Sequence, residues 1–549
     1  MRPQSHSILK RIILLSLVLF AFSAVPRSSD RILVKIDKNQ RVNIDESVVQ
    51  DVTVIQELDS CWIAEVSSEQ YATLQQVGAT CEILDPLPAA KVYYLLLAAS
   101  DQIHAIEPLG HLTVIEDQAC LFWTEGEDFW DLLPAQIQVK RLPERTAQRI
   151  TFATEKQEPV VRLQEETLPN AKVLQMVGEV AKSNLSAYIQ DLQNFQTRRA
   201  ATTSLEAAGT YVYDFFRARG ISAEYDPFTF SYQGITYATR NIVGSIQGKT
   251  VPEQIVIIGA HYDSTSDQPF TLAPGADDNA SGSAAVMEIA RIMSNYSFDY
   301  TVRFICFSAE ELGLLGSRHY TQEDARKGET ILGMIDLDMI GYAAKVNEDL
   351  DLIANNPSEW LANLFVSCTG TYTTVSVLKA IRPAAAGSDH SSFWDQGYSA
   401  VMGIEAYPLV NPYYHRTTDT LATLNMDFAA SVTQAALATA ATLARPVSTP
   451  LSPTNVAAHS VIVRSLFSRF KTVLLSWKST DPTVIGFNLY RSTTPYVNFQ
   501  RINSAPVKTS DYTDRFLEPN RSYYYVVTAV DGQGRESNYS NEVRDDQKN

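Results

Sequence analysis

The sequence predicts an α/β chain: a mostly parallel central sheet with helices on both faces, preceded by an N-terminal α+β repeat domain and followed by a C-terminal all-β sandwich. Three observations predict it. Between about residues 170 and 444, amphipathic helical stretches alternate with the continuous apolar runs "QIVIIGAHYD", "VRFICFSAEE" and "GMIDLDMIG". Such runs suit strands covered on both faces, whereas half-exposed strands alternate. Upstream, "TVIQELDSCWIAEVSSEQYATLQQVGATCEIL" is echoed by "TVIEDQACLFWTEGEDFWDLLPAQIQVKRL", with Cys61 aligned to Cys120 and Leu74 to Leu133. Downstream the period becomes two, and Tyr523, Tyr525, Val527 and Ala529 fall on one face of a strand.

The 549 residues exceed what one hydrophobic core serves, so several domains are expected. Residues 1–24 read as an export signal: basic "MRPQSHSILKR", apolar "IILLSLVLFAFSAV", then Pro26. Residues 25–151 form the α+β tandem repeat, a possible propeptide, and 152–169 a polar linker. Residues 170–444 form the central domain, in which "SAYIQDLQNF" and "EAAGTYVYDFFRARG" are amphipathic helices. The proline-rich stretch 445–453 is a second linker, and 454–549 is the sandwich. The mature chain is expected to be secreted or periplasmic, with no stable membrane span.

A formal net charge of −17 argues against a nucleic-acid partner, which would need a basic face. The five cysteines include no CxxC pair, so neither a zinc knuckle nor a thioredoxin-type site is indicated.

The chemistry lies at the strand ends. "QIVIIGAHYD" ends in His261 and Asp263, "VRFICFSAEE" in Glu310 and Glu311, "GMIDLDMIGY" in Asp336 and Asp338. Ligands of open α/β sheets bind outside the carboxyl ends of strands, so three such endings argue for one shared point. The loop "APGADDNASGS" adds Asp277 and Asp278 just before a helix; capping of that helix would account for Asn279 or Ser281 but not for both acids. "NPYYHRTTDT" adds His415, one of only eight histidines. Two histidines with several carboxylates suit Zn²⁺, and a shared carboxylate suits two metal ions and hydrolysis.

The stretches "GAHYDS", "APGADDNASGSAAVMEIAR", "FSAEELGLLGS", "LDMIGY", "SDHSSF" and "YYHRTTDT" resemble, in order, the secreted di-zinc aminopeptidases, relatives of bacterial leucyl aminopeptidase and more distantly of glutamate carboxypeptidase. The resemblance covers about residues 170–444 and implies the zinc exopeptidase fold. It implies two Zn²⁺ ions: Asp278 bridging, His261 and Asp338 completing one site, Glu311 and His415 the other. It implies Glu310 as general base and Asp263 holding the His261 ring, while Asp389 and His390 in "SDH" are expected near the substrate. Asp277 and Asp336 are left as structural or supporting residues, and His319 and Trp394 as core or surface.

One stretch departs from the pattern. Some relatives carry a tyrosine between two cysteines before "SDH"; this chain has "RPAAAGSDH", which removes a disulfide and a candidate oxyanion donor. The region 454–545 resembles a fibronectin type III module, with Trp477 at its core tryptophan and Tyr523 at its tyrosine corner.

The leading reading is a zinc-dependent exopeptidase acting on peptide or protein N-termini. A carboxypeptidase or dipeptidase on the same core is the alternative, kept open by Arg382 and Arg416. A non-catalytic adhesion protein is a third reading, and it predicts no zinc. The type III module is expected to contact another surface or polymer.

Overall fold

The computed structural model describes residues 31–547, apart from 39–51, 87, 89–90, 98–101, 117, 126–128, 135–136, 143–168, 407–409 and 465–468. The export signal and nearly all of the first linker lie outside the described residues.

The central sheet has eight strands: β1 (Ser222–Tyr232), β2 (Ile235–Ile246), β3 (Val251–His261), β4 (Tyr300–Phe307), β5 (Thr330–Leu337), β6 (Asp349–Ala354), β7 (Ser376–Ile381) and β8 (Ala400–Ile404). Their spatial order is β7-β6-β8-β5-β3-β4-β2-β1. The middle is parallel, with β3 between β4 and β5, and β8 beyond β5. The long hairpin of β1 and β2 joins β4 antiparallel, and β6 joins β8 antiparallel.

The apolar runs are continuous because both faces are covered. Val256, Ile258 and Ala260 of β3 face one core cluster, with helices Gly282–Met293 and Met426–Ala444. Ile255 and Ile257 of the same strand face another, with Phe393 and Tyr320. Alternation of side chains across a strand requires this division.

The N-terminal region holds two four-stranded antiparallel sheets of the same strand order. One runs Thr53–Glu57, Cys61–Ser67, Arg31–Asp37, Cys81–Asp85; the other runs His111–Glu116, Ala119–Trp123, Tyr93–Leu97, Gln138–Arg141. The first carries helix Ser68–Gln76, whose N-cap Ser67 and Gln70 form a capping box.

The C-terminal region packs two further four-stranded sheets around Trp477, Tyr525, Val527 and Ala529. There the amide of Glu518 donates to the Tyr523 hydroxyl at 3.1 Å. This region lies against the starts of β3, β4 and β5, across a cavity of about 890 Å³ lined in part by Pro252, Thr301, Thr330, Glu536 and Tyr539.

All five cysteines are free, and Cys61, Cys120, Cys306 and Cys368 are buried. Among the described residues no helix is long and apolar enough to cross a membrane.

Candidate metal centre

Strand register brings the acids together. Gly259 of β3 pairs with Asp336 of β5, so Asp338 emerges level with His261; His261 itself pairs with Phe307 of β4, so Glu310 and Glu311 follow just beyond. The ends of three adjacent parallel strands therefore meet, as ligand sites in open α/β sheets require.

The histidines are joined by one carboxylate. Asp278 lies with Oδ1 3.2 Å from His261 Nε2 and Oδ2 3.1 Å from His415 Nε2. Asp338 Oδ1 is 3.4 Å from His261 Nε2, and Glu311 Oε2 is 3.0 Å from His415 Nε2. Glu310 stands further off, 3.9 Å from His261 Nε2. Ligand atoms of His261, Glu310 and Asp338 lie within 4.8 Å of one another, as do those of His261, Asp278 and Glu311. The structure thus gathers His261, Asp278, Glu310, Glu311, Asp338 and His415 at one place.

Two further carboxylates hold the turns that present these side chains. Asp263 accepts the amides of Glu310 and Glu311 at 3.1 and 3.2 Å, with Oδ1 3.5 Å from His261 Nδ1. Asp419 accepts the amides of Asp277 and Asp278 at 2.9 and 3.0 Å. Asp277 in turn accepts from the amides of Gly341 and Tyr342 and from Asn411, which fixes the loop after β5. Ala309, Met339 and His415 adopt left-handed backbone at φ of 56°, 55° and 54°. Such conformations cost non-glycine residues about 1–2 kcal/mol each and gather where surrounding structure over-determines them.

The electrostatics favour cations. Despite its burial, the His415 imidazole is raised to about 10 by Glu311 and Asp278, and His261 is raised by Glu310 and Asp338. Burial and the neighbouring Glu311 and Asp338 push the Glu310 carboxyl well up. Asp278 is held below the usual carboxylate range by hydrogen bonds from both histidines, against the effect of burial. Glu311 Oε1 is buried without a hydrogen-bond partner among the described residues, and Asp338 Oδ1 has only the long 3.4 Å approach of His261 Nε2. Anionic oxygens in that state need a positive partner, and a carboxylate–imidazole donor set of this kind suits a divalent transition metal.

The remaining sequence candidates divide. Asp389 is fully buried, and burial together with Asp336 raises its carboxyl. His390 is fully buried, its Nε2 donates to the Ala385 carbonyl at 2.9 Å, and its Nδ1 lies 3.3 Å from Asp336. It therefore works behind the site, tying the "SDH" segment to β5. Asp336 also accepts from Ser388 and from the His390 amide. His319 pairs with Asp226 at 3.1 Å and stacks on Phe228, and Trp394 donates to the Ala400 carbonyl.

Sequence reasoning missed Asp419 and Arg198. Asp419 lies inside the quoted "YYHRTTDT", which was a signal. Arg198, fully buried, donates to the carbonyls of Tyr262, Leu192, Pro274 and Gly275, bracing the loops on either side of Asp263 and Asp277.

Residues 241–440 match the model of Peptidase family M28. Leucine aminopeptidase 1 of Arthroderma otae is 26% identical over 332 residues, which cover 57% of this chain and 84% of that protein. A probable zinc metalloprotease of Pyrenophora tritici-repentis is 25% identical over 366 residues, 55% of this chain and 82% of that protein. The chain is a metallo-aminopeptidase, and its likeness to Peptidase family M28 is carried by residues 241–440. The LapA aminopeptidase structure of Legionella pneumophila aligns with 76% of this chain and 99% of that chain, at 19% identity and a TM-score of 0.46.

Proposed function

We propose that this chain is an exported zinc exopeptidase that hydrolyses the N-terminal peptide bond of peptides, with two zinc ions and Glu310 as general base. The observation that carries the reading is the division of Asp278, one oxygen toward His261 and the other toward His415. A carboxylate so placed suits two ions roughly 3.5–4 Å apart.

His261 and Asp338 would hold one ion, Glu311 and His415 the other, and Asp278 both. When bound, the zinc pair supplies Lewis acidity, bringing water within reach of deprotonation near neutral pH and polarising the scissile carbonyl. Glu310 takes the proton from the attacking water at a carboxylate oxygen and returns it to the leaving amine. Its distance from His261 supports this division of labour: Glu311 lies at 3.0 Å from its histidine, Glu310 at 3.9 Å from its own. Asp263 orients the His261 ring and holds the backbone of both glutamates, and Asp419 does the same for the Asp277–Asp278 turn.

Export is supported by the basic and apolar N-terminal run, and the C-terminal sandwich, read as a type III module, would contact a surface or polymer outside the cell. The test is a panel of aminoacyl anilides and free, N-acetylated and C-amidated peptides. Release of the first residue from free and C-amidated peptides, with N-acetylated ones untouched, is expected. Cleavage of acetylated peptides from the carboxyl end would replace this reading with the carboxypeptidase one.

A further inference from the structure

The N-terminal pair of sheets is docked on two segments at the site, the turn that carries Glu310 and Glu311 and the stretch that carries Asp389 and His390. Lys140, 1% exposed, donates to Asp395 at 2.7 Å and to Gln56 at 3.0 Å. Asp395 ends the short helix that begins at His390, directly after Asp389. Arg318, just past the Glu310–Leu312 turn, donates to the Arg141 carbonyl at 3.0 Å, and the Ala384 amide donates to Asp59.

The fit is close at two glycines. A Cβ on Gly387 would stand 2.5 Å from Gln138 Oε1, and one on Gly313 would stand 2.8 Å from the Trp130 ring. Gly387 precedes Ser388 and Asp389, and Gly313 ends the turn that carries Glu310 and Glu311.

The segment held here has few bulky side chains of its own ahead of Ser388, where its hydrogen bonds to Asp336 begin. "RPAAAGS" offers three alanines and a glycine and contains no cysteine. Ala386, and beside it Ala384, instead pack into a cluster built by Leu33, Leu58, Ile63 and Leu121 of the N-terminal sheets. Small residues allow the close approach, and the docked sheets supply the bulk that fills the space.

From this we infer that the N-terminal sheets are a permanent scaffold of the active site rather than a removable cover, with Lys140 as the positioning residue for the 382–395 segment and Trp130 for the Glu310–Glu311 turn. Residues held in this way keep catalytic groups within tenths of an ångström; misplacement by about 1 Å costs up to roughly 10²-fold in rate. The size of the kinetic effect rests on the reading of Glu310 as base; the docking itself does not.

The test uses the full chain. Gly387→Ala wedges the interface, and adding Gln138→Gly to it removes the colliding side chain. Each is assayed well below its unfolding temperature for kcat, KM, bound zinc and hydrogen exchange of residues 308–318 and 382–395. Gly387→Ala is expected to lower kcat by at least about tenfold, with KM and zinc near wild type and faster exchange in 382–395. The double variant is expected to recover both kcat and protection. Should Gly387→Ala fold poorly, Lys140→Met carries the same expectation, since Asp395 keeps access to water. A rise in kcat or kcat/KM would show a removable cover and overturn the inference. So would faster exchange with unchanged kcat, or a lowered kcat that Gln138→Gly does not restore. Normal exchange with reduced turnover of all variants would instead count against docking as the cause.

Discussion

The catalytic domain has two neighbours in the chain, and they touch it at opposite ends of β4. The N-terminal sheets meet it beyond the ends of β4 and β7, through Lys140, Gln138 and Trp130. The C-terminal sandwich meets it where β3, β4 and β5 begin; there Asn538 donates to the Tyr296 carbonyl and Ser297 donates to Asn538. Chemistry in parallel sheets is confined to the carboxyl ends of the strands. A neighbour at those ends can shape turnover, whereas a neighbour at the other ends can alter stability or location only.

The comparison can be sharpened within the catalytic end first. Asp419→Asn keeps the shape of the group but removes its charge and replaces one of the two oxygens that accept the Asp277 and Asp278 amides with an NH2 donor. Supporting groups around metal ligands are worth about 10- to 100-fold in metal affinity, so zinc should dissociate that much more readily, as read by titration against a chelating dye. Wild-type zinc affinity in this variant would remove Asp419 from the account.

At the opposite end the expectation is small. Asn538→Ala leaves carbonyls at Ser294 and Tyr296 to be satisfied by water, and a net hydrogen bond is worth about 0.5–1.5 kcal/mol. Unfolding should shift by no more than about that, with kcat and KM unchanged on small substrates. A tenfold fall in kcat would mean that the C-terminal sandwich also reaches the active site.

The sheet was legible because strands buried on both faces need uninterrupted apolar runs, and the site because those runs stop at His261, Glu310 and Asp338. What escaped depends on distance along the chain. Asp419 binds amides about 140 residues before it, and no local pattern encodes that meeting. Arg198, in "QTRRAA", reads as a charge on an exposed stretch until loops from 262 to 275 close over it. The motif "SDH" carries no sign that the His390 ring is buried with its Nδ1 beside Asp336 of β5; that contact appears only in the structure. "RPAAAG" read as the loss of a disulfide; the sheets that pack on it lie about 250–350 residues earlier in the chain. The antiparallel edge formed by β1 and β2 was not marked out, since its alternating residues lack the continuous signal of the central strands.

The central claim is that adjacent Glu310 and Glu311 do different work, and zinc stoichiometry with steady-state kinetics on Glu310→Gln and Glu311→Gln tests it directly. Glu310→Gln removes a base but no ligand. It should bind two zinc ions per chain like wild type and lose at least about 10²–10⁴ in kcat, the usual worth of general acid–base catalysis. Glu311→Gln replaces an anionic ligand, so one zinc should bind weakly, and added zinc should restore part of the activity. Equal zinc loss in both variants, or wild-type turnover in Glu310→Gln, would contradict the account.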